Sequence, residues 1–515
     1  MSERPIPPEM LGLVAEQARR REQALAMGGP ERIAAHHASG RLTARERIER
    51  LVDHGSWYEL GLLALPERRR EEPSPGDAVV TGLAKVQGRP VCILAIDATV
   101  LAGTTAQVNM RKQRRIAEWA GHKGLPLICL SDADGGRMPD VMGWRFSGLP
   151  FDFRTFVQPP PGRPATPRAA AVLGPSFGDA ALHAAMSHFV VMTQSSALAL
   201  SGPPVVASAI GEELTATELG GPDVAAGESG VAHLVVESED EALAAIERFL
   251  SYLPSSAALP APATGWAEPA RPAEDLLRLV PADPKRGYDM RKVIEAVVDA
   301  GSLFELHARY GRSLITALAR LDGRPAGIVA NQPMQRAGVL DGPALAKELA
   351  FADLCDTFNL PLVFLHDVPG LMIGGQAERA GILPAYERIV ARLARATVPK
   401  VAVVVRKSYG GGHFAMGGRP THPDLLVCWP TAELGFMAPD TGVRTVYRRR
   451  LEAAGGDADA LFAELAAEWS GESEPWEAAA HLYVDDVIDP RETRTTILTA
   501  IDYAWGSGPR VREES

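Results

Sequence analysis

Residues 401–416 read VAVVVRKSYGGGHFAM, an apolar run followed by two cations and then Gly410-Gly411-Gly412. Glycine weakens regular structure and belongs where backbone turns sharply or approaches something closely. A strand that hands over to a helix through such a turn leaves the first N–H groups of the helix without partners. A pair of such donors can hold negative charge developing on a carbonyl oxygen, which is oxyanion-hole chemistry. Taken alone, the stretch fits a tight connection that binds nothing at least as well. Other residues also invite chemistry. Gly174-Pro175-Ser176-Phe177-Gly178 spells the elbow of serine hydrolases. Residues 110–115, MRKQRR, offer Arg111, Lys112, Arg114 and Arg115 to an anion, or form a solvated helix face. His366-Asp367 suits acid/base work or a structural turn.

The elements that must hold these residues come in two sets. Gly88-Arg89-Pro90 opens the run VCILAI, and 235 positions later Gly323-Arg324-Pro325 opens AGIVAN. Leu125-Pro126-Leu127-Ile128 and Leu360-Pro361-Leu362-Val363 keep the same spacing, as do Ala197 and Ala432. Upstream, IERLVDHGSWYEL matches IEAVVDAGSLFEL at an offset of 246, and the extra 11 residues fit a charged insertion after Leu60. The chain therefore reads as a tandem duplication: residues 1–253, an Ala/Pro-rich linker over 254–273, and residues 274–515. Short apolar strands alternate with helical-period stretches in both halves, an α/β pattern. Gly178-Asp179 then stands opposite Gly411-Gly412 at a spacing of 233, so the turn is built twice, which favours function over a mere connection. That spacing puts Ser176 opposite Tyr409, so the serine is not duplicated and the hydrolase reading is set aside.

Bulk properties exclude several classes. A net charge of −11 argues against a nucleic-acid surface. No apolar stretch is long enough for a membrane helix, and the charged start lacks a signal-peptide core, so a cytoplasmic protein is expected. Cys92, Cys129, Cys355 and Cys428 lie far apart in apolar surroundings, which suits buried thiols rather than disulfides or a metal site.

With the repeat in place, GIVANQPMQRAGVLD, LVFLHDVPGLMIG, ATVPKVAVVVRKSYGGGHFAMGGR and CWPTAELGFMAP resemble the carboxyltransferase β subunits of biotin-dependent acyl-CoA carboxylases, of the propionyl- and methylcrotonyl-CoA kind. In the first half, SGPPVVASAIGEELTATELGGPDVAAGESGVA does so too, and the similarity runs from about residue 10 to 505. The resemblance implies two crotonase-like (ββα superhelix) domains, the first on the acyl-CoA side and the second on the biotin side. It implies transfer of CO2 from carboxybiotin on a partner to the α-carbon of an acyl-CoA, through enolates held in two backbone oxyanion holes. By position the holes are Gly178 and Asp179 for the thioester, and Gly411 and Gly412 for biotin. His413 and Phe414 fall on the acyl pocket, and the cations at 111, 112, 114 and 115 on the CoA-binding face. An active site shared between subunits, commonly in a hexamer, and no metal are also implied. No Met-Lys-Met-like biotin attachment site and no phosphate-binding loop appear, so a biotin carboxylase and carrier α subunit is the expected partner. A decarboxylase subunit running the transfer backwards and a non-catalytic scaffold are the alternatives.

The chain departs from that family pattern at four places. Asp179 stands where glycine is usual, and its carboxylate is expected to turn away and cap the helix starting at Ala180, or to meet a cation. Residues 157–169 are richer in proline than usual, Phe414 sits at a substrate-selecting position, and His413 replaces a common aromatic.

Overall fold

The computed structural model describes residues 6–68 and 74–505. Part of the insertion after Leu60, residues 69–73, thus lies outside the described residues. The chain divides into two compact units, Met1–Leu259 and Pro260–Ser515, so the division falls within the stretch 254–273.

The first unit holds an eight-stranded sheet of β1 (Tyr58–Leu60), β2 (Val79–Val86), β3 (Arg89–Ile96), β4 (Leu127–Ala133), β5 (Arg168–Phe177), β6 (Phe189–Thr193), β7 (Ala197–Ala199) and β8 (Leu234–Val236). Its order is β1-β2-β3-β4-β5-β6-β8, with β7 paired to β5. The second unit repeats this with β9 (Phe304–Leu306), β10 (Leu314–Leu321), β11 (Arg324–Asn331), β12 (Leu362–Val368), β13 (Lys400–Tyr409), β14 (Leu425–Cys428), β15 (Glu433–Gly435) and β16 (Asp486–Val487). The order is the same strand for strand, with β15 paired to β13. In each sheet two antiparallel pairings lead into a parallel remainder. Such strands are buried on both faces, and β4 and β12 are buried along their whole lengths.

Local chemistry explains the repeated motifs. Gln87-Gly88 and Asp322-Gly323 close the hairpins β2–β3 and β10–β11 with both residues at positive φ, the two-residue turn that fits strand twist. Asp53 accepts the N–H groups of Gln87 and Gly88 at 2.9 and 2.7 Å. Asp299, its mate in the duplicated VDxGS segment, does the same for Asp322 and Gly323 at 3.0 and 2.7 Å. The helices Gln107–Lys123 and Gly342–Thr357 follow β3 and β11 and pack on their own sheets. Each buries one lysine. The Lys112 ammonium donates to the carbonyls of Gly76 (3.0 Å) and Val79. Lys347, 235 positions on, donates to His307, Tyr310 and Leu314 at 3.0, 3.0 and 2.6 Å. Burial lowers their pKa values to about 8 and about 7. All four cysteines are buried free thiols.

Candidate active site

The bulged pairing at the ends of the central strands fixes how the two turns correspond. Ala133 pairs with Ser176 in the first sheet, and Val368 pairs with Ser408 in the second. The strand ends Phe177 and Tyr409 are therefore 232 positions apart, not the 233 expected. Gly178 corresponds to Gly410, and both have positive φ, 68° and 52°. Asp179 then corresponds to Gly411 and Ala180 to Gly412. The one-residue shift also corrects the serine argument, because Ser176 does have a counterpart, Ser408. The hydrolase reading fails for another reason: Ser176 is fully buried, and its hydroxyl points to the Gly174 carbonyl at 3.4 Å.

In the second unit β13 runs straight into the helix Gly410–Ala415, whose first N–H groups have no acceptor one turn back. Each glycine has its own cause. Gly410 adopts a left-handed conformation, and a Cβ there would meet the Phe436 carbonyl oxygen at 2.8 Å. At Gly411 a Cβ would lie 3.0 Å from Leu371 Cδ1 and 3.1 Å from Tyr386 Oη. At Gly412 it would lie 2.6 Å from Val368 Cγ2 and 3.1 Å from Gly370 Cα. Beneath the turn Leu340 N–H donates to the Gly370 carbonyl (3.1 Å) and Met372 N–H to the Leu340 carbonyl (2.8 Å). Asp367 is ion-paired to Arg406 at 2.9 Å with both side chains buried, so this aspartate braces the turn. His413 is half-buried, and Phe414 is 38% exposed at the surface.

The first-unit turn is furnished differently. The helix Asp179–Ala185 begins at Asp179 itself, with Gly178 as its cap residue. The Asp179 side chain is buried and accepts from the Thr105 hydroxyl and from Gln113 Nε2 (3.3 Å). Burial raises its pKa; those two bonds and the N–H groups of Asp179 and Ala180 oppose the rise. The carboxyl is thus held within its own unit by Thr105 and Gln113, and by no cation. The frame below matches the second unit: Thr105 N–H donates to Gly135 and Arg137 N–H to Thr105, both at 2.8 Å.

The cationic cluster separates. Arg111 pairs with Glu67 at 2.5 Å, Arg114 with Glu118 at 2.7 Å, and Arg115 lies over the Trp119 ring at 5.2 Å. These three stay near the surface. Lys112 does not join them, because its ammonium is turned inward onto backbone carbonyls.

Sequence reasoning missed Thr105, Gln113, Glu348 and Ser408. Glu348 is the repeat mate of Gln113, fully buried, with neither carboxylate oxygen bonded, and burial raises its pKa strongly. The signal for it was present: a polar residue directly after the lysine in both helices, inside an otherwise apolar face.

Among the described residues no His, Cys, Asp and Glu group is placed to hold a metal, and no helix is long and apolar enough to cross a membrane. The carboxyl transferase domain family matches residues 35–510. The propionyl-CoA carboxylase carboxyltransferase subunit of Haloferax mediterranei is 36% identical over 492 residues, 94% of each chain. The methylmalonyl-CoA carboxyltransferase 12S subunit of Propionibacterium freudenreichii is 37% identical over 500 residues, 96% of this chain and 94% of that one. The crystal structure of transcarboxylase 12S, a hexamer assembly with methylmalonyl-coenzyme A and methylmalonic acid bound, has a TM-score of 0.91 at 35% identity, covering 100% of this chain and 99% of that one. With a duplicated α/β scaffold, a glycine turn at the same place in each copy and relatives matched end to end, the chain belongs to the carboxyl transferase domain family, that of the carboxyltransferase β subunits of biotin-dependent acyl-CoA carboxylases.

Proposed function

We propose that this chain moves a carboxyl group between biotin carried by a partner protein and the α-carbon of an acyl-CoA. The observation that carries the reading is the strand-to-helix turn built twice on one scaffold, at residues 178–180 and 410–412. Such a transfer develops negative charge on two carbonyl oxygens, one on each reactant, and backbone N–H pairs hold that charge without titrating. In this reading Gly411 and Gly412 orient the biotin ureido oxygen, and the turn of Gly178, Asp179 and Ala180 orients the thioester oxygen through its N–H groups. The turns fit those groups, since each starts a helix whose first donors no carbonyl one turn back can take; in the first unit the Asp179 carboxyl, which the N–H groups of Asp179 and Ala180 approach, must yield them to the thioester oxygen. Carboxybiotin supplies the CO2 unit and, once it has given that up, a basic ureido nitrogen. Phe414 and His413 line the acyl pocket. Arg111, Arg114 and Arg115 meet the CoA phosphates by exchanging their present partners for stronger charge-assisted bonds.

Biotin is delivered by a separate biotin carboxylase and carrier subunit. The chain works as a homo-oligomer, a hexamer by analogy with transcarboxylase 12S, in which the first unit of one copy serves with the second unit of another. The deciding experiment incubates the purified chain with carboxylated biotin carrier and a panel of acyl-CoAs and follows carboxyl transfer. An intact oligomer that transfers nothing in either direction would overturn the proposal in favour of a scaffold.

A further inference from the structure

A tyrosine from another element stands beside the glycine turn of the second unit. The helix Ile382–Arg395 buries Ile382, Ile389 and Leu393, and Tyr386 falls in the same stripe, one turn after Ile382. That helix packs on Gly342–Thr357 and on the short helix that begins at Gly410. Its phenol is thereby carried to Gly411, where the place of the absent Cβ lies 3.1 Å from Oη and 3.2 Å from Cζ. A side chain at 411 would force the ring away. The Tyr386 hydroxyl has no hydrogen-bond partner among the described residues, and unlike that of Tyr288 it is not sealed in the core.

The first unit fills the corresponding place differently. Asp179 stands opposite Gly411, and its own carboxyl occupies the space beside its Cβ, taking bonds from Thr105 and Gln113. A carboxylate is an acceptor and competes with any oxygen brought to the turn, whereas a phenol is a donor and adds to the N–H groups there. The distances let both kinds of donor meet on one oxygen. A Cβ lies about 2.5 Å from its own amide nitrogen, so Tyr386 Oη is within about 5.6 Å of Gly411 N. One acceptor at ordinary hydrogen-bond lengths, about 2.9 Å from the nitrogen and about 2.7 Å from the phenol oxygen, spans that separation. The side is right as well. A helical Cα–Cβ bond leans toward the helix N-terminus, the end at which the free N–H groups open. Burial raises the phenol pKa above its ordinary value, so the group keeps its proton and stays a donor at neutral pH.

Resting on the function proposed above, we propose that Tyr386 is a catalytic residue of the transfer, its phenol O–H serving as a further donor to the biotin ureido oxygen that Gly411 and Gly412 hold. Negative charge develops on that oxygen during the transfer, and a donor placed there in advance lowers the barrier in both directions. The phenol needs no change of protonation to do this.

The test compares the full chain with Tyr386→Phe, which keeps the ring against Gly411 and removes only the hydroxyl. With carboxylated biotin carrier and an acyl-CoA that the wild type accepts, kcat should fall about 10- to 100-fold while the KM for the acyl-CoA stays unchanged. Biotin methyl ester, isotopically labelled at the ureido carbon, reports the bond directly in difference infrared spectra. Its carbonyl stretch should move to lower wavenumber on binding the wild-type chain. Part of that shift should be lost in Tyr386→Phe, which a space-filling role would not alter. Tyr386→fluorotyrosine, a stronger donor of nearly the same shape, should carry the stretch lower still. Equal turnover and an equal stretch in wild type and Tyr386→Phe overturn the inference but leave the turn as a carbonyl site. An unmoved stretch in Tyr386→fluorotyrosine also overturns it, whatever the fate of the Phe variant. An ester that does not bind the wild-type chain, or binds without a shift, overturns it together with the proposed biotin turn.

Discussion

The two turns share a backbone and differ in where each keeps its carboxyl group. The first unit puts an acid at the turn, Asp179, and an amide on the neighbouring helix, Gln113. The second puts glycine at the turn, Gly411, and the acid on the helix, Glu348. Thr105 supplies a hydroxyl in the first unit where Leu340 supplies none in the second. The first arrangement closes on itself, each carboxyl oxygen receiving a donor. In the second, the Glu348 oxygens have no partner, and the turn has no side chain at 411 or 412. Bulk moves in the same sense: Ala133 and Ala180 share one buried cluster in the first unit, whereas Val368 in the second leaves room only for glycine at 412. One copy trades open backbone for a satisfied polar cluster, and the other keeps the backbone bare at the cost of a lone buried acid.

The largest expected effect tests whether the bare turn is the working one. Gly412→Pro removes an N–H at a helix position that tolerates proline, but a Cβ there strikes Val368 Cγ2, so the clean variant combines it with Val368→Ala. Relative to Val368→Ala alone, carboxyl transfer should fall by about 10²-fold or more, the cost of losing one hole donor. Unchanged turnover in an intact oligomer would make Gly412 a turn residue only. Single Gly412→Ala should already destabilise the second unit through the same clash, and Val368→Ala should relieve it.

The next effect falls on stability. Glu348 has a folded pKa well above its ordinary 4.5, so the folded state holds its proton more tightly than the unfolded chain. Its favourable contribution is fully present below about pH 4.5 and is lost as pH rises through the raised value. Glu348→Met, similar in volume and without charge, should therefore raise the thermal midpoint at pH 8 by several degrees, on the order of 1–3 kcal/mol, and much less near pH 4.5. A lower midpoint at pH 8 would show that Glu348 has a partner when the protein is assembled. Gln113→Glu, which would set a second acid against Asp179 in the first unit, should shift stability in the opposite sense.

Repeated motifs made the scaffold legible because each encodes a local backbone need, such as the Asp53 and Asp299 caps over glycine hairpin turns. The same repeat located both turns, yet missed their alignment by one residue. The connection between β4 and β5, residues 134–167, is three residues longer than that between β12 and β13, residues 369–399, so the offset falls from 235 to 232 across it, and the residue pattern does not mark where; the bulges at 131/133 and 366/368 are common to both copies. Lys112 misled for another reason: a cation in a basic run looks solvated, while only the fold reveals the carbonyls of Gly76 and Val79 waiting for it. His366 and His413 were individually visible and Ser408 was not; the three come together only through the pairing of β12 with β13 and the turn that follows it.

The smallest effect concerns Asp179, where the comparison is sharpest. Replacing it with glycine would make the first turn resemble the second, stripping the partners from the Thr105 hydroxyl and the Gln113 amide. Because the carboxyl is buried and directed at α-helical and loop residues of its own unit, its loss should cost about 1 kcal/mol of first-unit stability. The rate of carboxyl transfer should change by no more than about threefold, since the N–H groups that hold the oxyanion remain. Asp179→Asn should retain most of the stability, as an amide can still accept from Thr105 or Gln113. The pH dependence separates the two variants further. Burial raises the Asp179 pKa, so its favourable contribution is greatest in acid and fades as pH rises through that value. The glycine variant's deficit should accordingly be larger near pH 5 than near pH 8. Parallel melting curves and initial rates across that range check both statements. A rate that rises sharply in Asp179→Gly would mean the carboxyl faces the reacting oxygen, and the first turn would then be restrained by its own side chain.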